Sequence, residues 1–509
     1  MRNKIITCLV WLAIWQAAAW LVSSELLLPD PADALLALGG LAQTGKFYMD
    51  IGWTAARCII AMVLSFAAGI PAAVLSYRSR AARSLLSLPV GFFKAVPVMA
   101  IIIYVILLAQ SEWVAVIVCF FMCFPIVYTN ILEGLDAMPL EYLEVGSVYE
   151  LSGLETAKYI YGPGLLPQMK AAVSLTAGLS WKAVVAAEVL SIPKYSLGYE
   201  MINAKYYLET ADLFAYIFVI VVLSMAFEKL INMGLRRIEW KGYEGSRLKG
   251  RRDSMRKASM ISPAVPHSSA VPHSSAVPHS SAVPHSSAVP QIEICHLTKT
   301  FEDKLVLDDV NINFESGKVT ALMGPSGQGK TTLARIIAGL ETADSGRVFC
   351  DGTGSIGTGE GYAGKRYAGN RCTGKRCTGK RCISRTAFLF QEDRLLPWLN
   401  IYDNIALGGR AADPEKIKKL ARQLEIETEL WKLPDELSGG QRHRAALART
   451  FAVDAPLMIL DEPFRGLDEG LKDRIVGRMW ERETTGKTVV LITHSAEDAE
   501  RLADKILEL

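Results

Sequence analysis

Residues 324–332 read GPSGQGKTT and fit the spacing G-x-x-x-x-G-K-[ST] in full. Glycines at these positions let backbone N–H groups turn inward around phosphate oxygens. A helix start directly behind them adds positive potential. Lys330 is expected to reach the β- and γ-phosphates of a nucleoside triphosphate, and the Thr331 hydroxyl to ligate Mg²⁺. Gly324, Pro325, Ser326, Gly327, Gln328, Gly329, Lys330, Thr331 and Thr332 are thus candidate nucleotide contacts.

A second constellation follows. Residues 457–463, LMILDEP, form an unbroken apolar run ending in two acids, the pattern of a buried parallel strand. Asp461 at its end is placed to hold the Mg²⁺ shell. Glu462 is the candidate base that polarises an attacking water. Between the two constellations lies LSGGQ, residues 437–441, whose Ser438, Gly439 and Gly440 offer another nest of backbone donors at a helix start.

This order, over residues 292–509, resembles the ABC ATPases. The resemblance implies roles for further residues. Phe301 matches the aromatic that stacks on adenine. Gln391 in FLFQEDRLLPW matches the glutamine that senses Mg²⁺ and contacts the membrane partner. Asp468 in GLDEG matches the loop linking two ATPase domains. His494 in ITHSAEDA matches the histidine that contacts the γ-phosphate. Gln441 completes the signature that, in this family, covers ATP held by another subunit. The expected catalytic set is Glu462, His494, Gln391 and Lys330. The expected metal set is Thr331, Gln391 and Asp461. Departures from the family pattern are His443 and Ser495, where Gln and Asp are commoner.

The elements that must position these groups are legible nearby. Residues 319–323 are a short apolar strand candidate and 331–338 read as a helix. Strands are expected near 348–350 and at 387–390.

The other half of the chain has a different character. Half of the 509 residues are hydrophobic and the mean hydropathy is +0.23. Apolar residues concentrate before about position 235. A spanning helix needs about 20 apolar residues, and six segments qualify: 5–22, 54–77, 88–109, 113–132, 175–192 and 213–235. Arg2 and Lys4 precede the first, Arg78, Arg80 and Arg83 follow the second, and Arg236, Arg237 and Lys241 follow the sixth. The positive-inside rule then puts both ends in the cytoplasm. Reading the first segment as a cleaved signal peptide leaves five spans and strands the ATPase away from ATP. Pro71 and Pro97 lie inside apolar runs and are expected to kink helices. Glu188 lies within the fifth segment, either as a functional carboxylate or as one hydrogen-bonded near a helix end. Lys182 is expected to snorkel.

Residues 133–170 form the longest cytoplasmic loop of this half and close with GPGLLP. Glu144, Pro163 and Pro167, followed by GLSWKAVVAAEVL at 178–190, resemble the permeases of binding-protein-dependent importers of the nitrate/sulfonate/taurine type. In that family the loop docks into the ATPase as a coupling helix, which the match puts at roughly 144–154. Val145 and Gly146 stand where the family has two alanines, and Glu150 where it has glycine. QEDRLLPW agrees with the same importers.

Between the halves the composition breaks. A basic stretch runs from Arg247 to Lys257 and is expected to lie against anionic headgroups. AVPHSS then repeats four times from 264 to 287. Such Pro/Ser/Ala density cannot bury a core, so residues 242–290 read as a linker, about 40 Å in span as a flexible coil. Its regularly spaced histidines belong to the repeat rather than to a metal site. A second repeat, YAGKR, YAGNR, CTGKR, CTGKR, occupies 362–381 and reads as a tolerated surface insertion. The nine cysteines include no C-x2-C pair, so neither a zinc site nor a disulfide framework is implied. A net charge of +3 does not call for nucleic acid.

The expected fold is multidomain. An all-α transmembrane permease domain of about six helices (1–241) precedes an α/β P-loop NTPase domain of the ABC type (291–509) carrying a repeat insertion at about 353–385. The expected function is ATP-driven import of a small anionic solute, sulfonate-, taurine- or nitrate-like, across the cytoplasmic (inner) membrane. The alternatives are a half-size exporter and an ATPase uncoupled from transport. Expected cofactors are ATP and Mg²⁺. Expected partners are a second copy or another permease/ATPase pair, a separate extracytoplasmic solute-binding protein, and membrane lipid.

Overall fold

Small and polar residues three and four apart within apolar runs decide how the membrane half packs. In a computed structural model of the chain, the described residues are 2–22, 27–237, 289–302, 304–350, 354–356, 386–408 and 413–509. The basic stretch, the AVPHSS repeat and the 362–381 repeat lie outside them. Two units emerge, Met1–Met138 with Tyr161–Trp240, and Pro139–Ile160 with Lys241–Leu509.

The first unit is all helical. Its chain runs through α1 (Arg2–Val22), α2 (Pro31–Leu41), α3 (Gly45–Arg78), α4 (Arg80–Ala95), α5 (Val98–Leu108) and α6 (Ser111–Asp136). The short α7 (Leu140–Val148) and α8 (Gly153–Thr156) belong to the second unit. The first unit resumes with α9 (Gly162–Ser191), α10 (Leu197–Tyr206) and α11 (Thr210–Arg237). Gly45–Arg78, Ser111–Asp136, Gly153–Ser191 and Thr210–Leu235 are long and apolar enough to cross a membrane. The expected segment 88–109 is a broken pair, with α4 and α5 meeting at 107°. Pro97 explains the break. It lacks an N–H, and it forces Val96 into an extended conformation with ψ 132°. Pro71, by contrast, stays inside a continuous α3.

Helix α3 buries Asp50, Thr54, Arg57, Ala61, Ser65, Gly69, Ala73 and Ser76 on one face. Small side chains there allow close helix approach. A Cβ at Gly69 would lie 2.8 Å from Val127 Cγ1 of α6. The GPGLLP sequence opens α9 instead of closing the preceding loop. Pro163 falls in the first turn, where its missing N–H has no helical partner to lose.

The second unit contains two sheets. β1 (Ile292–Phe301), β2 (Lys304–Phe314), β4 (Ser345–Cys350) and β5 (Gly354–Ile356) form an antiparallel sheet in the order β2-β1-β4-β5. β3 (Val319–Met323), β6 (Thr386–Leu389), β7 (Leu457–Asp461), β8 (Thr488–Ile492) and β9 (Lys505–Glu508) form a parallel sheet in the order β6-β7-β8-β3-β9. The residues of β6, β7 and β8 are buried throughout, as a sheet covered on both faces requires. Helices α12 (Lys330–Ile337), α13 (Ile401–Gly408), α14 (Pro414–Gln423), α15 (Gly439–Ala452), α16 (Glu469–Thr484) and α17 (Ala496–Leu502) complete the unit.

Segment 139–160 does not form the single helix expected at 144–154. α7 ends at Val148, and Glu150 adopts the left-handed region at φ 49°. The Leu151 N–H then donates to the Gly146 carbonyl at 2.9 Å, a helix-ending bond that glycine usually makes possible.

Candidate functional site

Ligands of open parallel sheets collect at the carboxyl ends of the strands. Here β3 leads into Gly324, β6 runs up to Phe390 and Gln391, β7 ends at Asp461 and β8 at Ile492 before His494. A cleft of about 280 Å³ opens there, lined by Ser326, Gly327, Gly329, Lys330, Thr331, Thr332, Gln391, Asp461, Glu462 and His494. Val306 and Ile492 also line it, and no sequence signal marked either.

The loop's turns need the left-handed region at Gly327 (φ 82°) and Gly329 (φ 94°). A Cβ on Gly329 would lie 2.7 Å from Leu307 Cδ2 and 2.9 Å from the Val306 carbonyl. Lys330 is buried, and its ammonium donates to the carbonyls of Gly324 at 2.7 Å and Pro325 at 2.8 Å. Burial lowers its pKa from the usual lysine value.

Across the cleft, the Thr331 hydroxyl donates to Asp461 Oδ2 at 2.8 Å. Asp461 is almost fully buried. Its pKa is pushed up to about 6, first by burial and then by the Glu462 charge, against the Thr331 hydrogen bond. These hard oxygen donors suit Mg²⁺, whose charge would restore the ionised carboxylate. Glu462 takes φ 51°, a strained conformation for a non-glycine residue of the kind that clusters at active sites. Its N–H donates to the Ile492 carbonyl at 3.0 Å, and its carboxylate lies 3.2 Å from His494 Nε2.

The signature motif lies outside the cleft's lining. Ser438 caps α15 reciprocally with Gln441. The Ser438 hydroxyl accepts from the Gln441 N–H at 3.3 Å, and the Ser438 N–H donates to Gln441 Oε1 at 2.9 Å. Gly439 and Gly440 begin that helix. Asp468 caps α16, accepting from the Leu471 N–H at 2.8 Å. Phe301 ends β1, 42% exposed, with Lys299 Nζ 4.7 Å from its ring centroid. Ser495 replaces the expected acid without loss of a cap, since its hydroxyl accepts from the Asp498 N–H at 3.1 Å.

Glu144 of α7 is gripped by two arginines. Arg335 of α12 forms a bidentate pair at 2.6 and 3.0 Å, and Arg394 adds another bond. Burial raises the Glu144 carboxyl, but the two guanidinium groups outweigh it and hold the pKa below the ordinary value. Trp398 Nε1 donates to the Tyr159 carbonyl at 2.7 Å, and its ring meets Tyr142 edge-on at 5.2 Å. Sequence reasoning found Glu144 but neither arginine.

In the first unit, Glu188 is fully buried. It accepts from Arg57 Nη1 at 2.8 Å, from Thr54 at 3.0 Å and from the Gly198 N–H at 3.3 Å. Arg57 also donates to Glu112 at 2.6 Å and to the Tyr195 carbonyl at 2.7 Å. Glu188 is thus a carboxylate near a helix end whose principal partner is a buried cation. Lys182 lines an open cleft together with Lys94 and Glu133.

Known families match residues in both halves of the chain. Residues 307–465 match the family described as ABC transporter, and residues 65–239 match the binding-protein-dependent transport system inner membrane component. The sulfate/thiosulfate import ATP-binding protein CysA 1 of Chromobacterium violaceum is 36% identical over 229 residues, covering 42% of this chain and 58% of that protein. CysA of Pseudomonas aeruginosa is 35% identical over 229 residues, covering 42% and 63%. The chain therefore spans about three fifths of the length of these curated relatives. A solved dimeric bacterial ABC transporter cassette is 26% identical, covering 43% of this chain and 94% of that one, with a TM-score of 0.35.

Proposed function

We propose that this chain, which joins an ABC transporter ATPase domain to a binding-protein-dependent permease domain in one polypeptide, uses ATP hydrolysis to import a small oxyanion through the cytoplasmic membrane. The observation that carries this reading is the Glu144–Arg335 pair. Arg335 lies on α12, the helix that Lys330 begins behind the phosphate loop. Any movement of that loop on nucleotide binding is transmitted to the segment that carries Glu144.

The residues divide the work in a simple way. The backbone N–H groups of Ser326 to Thr332 and the Lys330 ammonium bind the phosphates. On this reading, ATP draws Lys330 away from the Gly324 and Pro325 carbonyls. Phe301 stacks on the adenine. Thr331, Asp461 and Gln391 would hold Mg²⁺, which supplies charge neutralisation at the phosphates. Glu462 orients and deprotonates the attacking water, and His494 donates toward the γ-phosphate. Ser438 to Gln441 and Asp468, lying apart from the cleft of their own copy, serve the site of a second copy. Closure and reopening of the pair shift the helices between two states.

Relatives that import sulfate and thiosulfate support an oxyanion, with sulfonate, taurine and nitrate as the finer candidates. A separate extracytoplasmic binding protein delivers it. The test is ATP-driven uptake of sulfate, taurine and nitrate into proteoliposomes with candidate binding proteins. We expect one solute and its binding protein to stimulate ATP turnover, and Glu462→Gln to abolish uptake. Undiminished uptake by that variant rejects hydrolysis as the drive. Turnover that responds to no binding protein rejects coupled import.

A further inference from the structure

His443 sits on the buried face of α15 and is only 5% exposed. Its ring bridges the segments that follow the neighbouring strands β6 and β7. Nε2 donates to the Pro463 carbonyl at 3.0 Å, and Nδ1 faces Asp393 Oδ1 at 3.0 Å. Pro463 directly follows Glu462, and Asp393 lies two residues after Gln391.

The Pro463 bond matters because of the backbone at Glu462. A glutamate at φ 51° is strained by about 1–3 kcal/mol and stays there only when its surroundings over-determine it. Three hydrogen bonds hold it in place: the Glu462 N–H on the Ile492 carbonyl, the Arg465 N–H on the Glu462 carbonyl at 3.2 Å, and His443 on the Pro463 carbonyl. Losing the last, the one of the three made by a side chain, loosens the C-terminal side of the strained residue.

The Asp393 side extends outward. Arg449, fully buried, donates to the Asp393 carbonyl at 2.9 Å and the Arg394 carbonyl at 2.8 Å. Its guanidinium lies 5.2 Å from the Tyr149 ring centroid, and Arg394 holds Glu144. A continuous chain of contacts therefore runs from segment 139–160 through Arg449, Asp393 and His443 to Pro463.

We propose that His443 is a positioning residue for ATP hydrolysis, holding Glu462 in its strained conformation and tying that conformation to the placement of Asp393 and segment 139–160. This rests on the reading of the cleft as an ATP-hydrolysing site. His443 is not among the residues that line the cleft. Its loss should lower kcat and leave the KM for ATP unchanged.

The experiment measures ATP turnover by the full chain in nanodiscs for wild type, His443→Leu and His443→Gln. Leucine fills similar space without a donor, whereas glutamine keeps an amide N–H for the Pro463 carbonyl. We expect His443→Leu to lose at least about tenfold in kcat, as a small misplacement of a catalytic group does, with KM within twofold. His443→Gln should recover most of the loss. Equal kcat in wild type and His443→Leu overturns the proposal, as does an equal loss in both variants. If His443→Leu does not accumulate as folded protein, His443→Asn, which is too short to reach the carbonyl, replaces it in the same comparison. A wild-type chain without turnover fails the ATPase reading itself, a separate outcome.

Discussion

The Thr331 hydroxyl and Asp461 carboxylate are 2.8 Å apart, so the two principal candidate metal ligands are hydrogen-bonded to each other. The pair cannot relieve the burial of Asp461, whose pKa is raised to about 6. A carboxyl raised in the fold stabilises it below the unfolded pKa, and that contribution is lost as pH rises through the folded value. At pH 7.5 the nucleotide-free unit therefore carries a buried charge costing on the order of 2–3 kcal/mol. Asp461→Asn should melt higher than wild type at pH 7.5 in chelator, with the difference narrowing as pH falls through about 6 and closing only below about pH 4. Thermal unfolding at the two pH values checks this, and a pH-independent difference contradicts it.

Glu144 accepts from two guanidinium groups while mostly buried. Glu144→Ala leaves both cations without their shared partner, at a cost on the order of 1–3 kcal/mol to the docking of segment 139–160. We expect basal ATP turnover within about threefold of wild type and solute uptake at least about tenfold lower. Parallel uptake and turnover assays measure the split. A proportional loss of both would argue against a coupling role.

Glu462→Gln keeps the shape and the hydrogen-bonding reach of the side chain but removes its basicity. Nucleotide affinity should stay within a few-fold, while turnover falls by about 10²-fold or more. Equilibrium binding of a labelled ATP analogue alongside phosphate release distinguishes the two effects.

Glu150 holds φ 49°, in the left-handed region. Left-handed backbone costs a non-glycine residue about 1–2 kcal/mol, and glycine's extra unfolded freedom returns part of that. Glu150→Gly should raise stability by about 0.5–1 kcal/mol. Its melting midpoint reports the sign directly.

Arg57→Leu strands Glu188 without its cation in a fully buried setting. The expected loss is about 3–5 kcal/mol, and the double variant Arg57→Leu/Glu188→Leu should recover much of it. Melting midpoints of the two variants in detergent provide the comparison.

The cleft was legible in the sequence because its chemistry is local. GPSGQGKTT and LMILDEP each carry spacing that a backbone turn or a buried strand dictates, and LSGGQ, outside the cleft, carries that of a helix cap. β3 and β7 follow from unbroken apolar runs. What escaped is long-range and polar. Nothing in the periodicity around Arg57 points to Glu188, nor around Glu144 to Arg335, because a single charge on a helix face is ordinarily a solvated one. His443 read as a departure from the family's glutamine, and only the folded chain brings Pro463 to its ring. Pro97 was expected to kink a helix, and the structure breaks it into two at 107° there.

Residues 139–160 belong to the ATPase unit although they interrupt the membrane half, so the chain passes between units at 138–139, 160–161 and 240–241. The Glu144 and Trp398 contacts join that segment to the ATPase without using residues 242–288 at all. A gene split within that stretch should therefore still let the two units associate as two polypeptides. The covalent join governs stoichiometry, delivering one second unit with every helical unit that the ribosome makes.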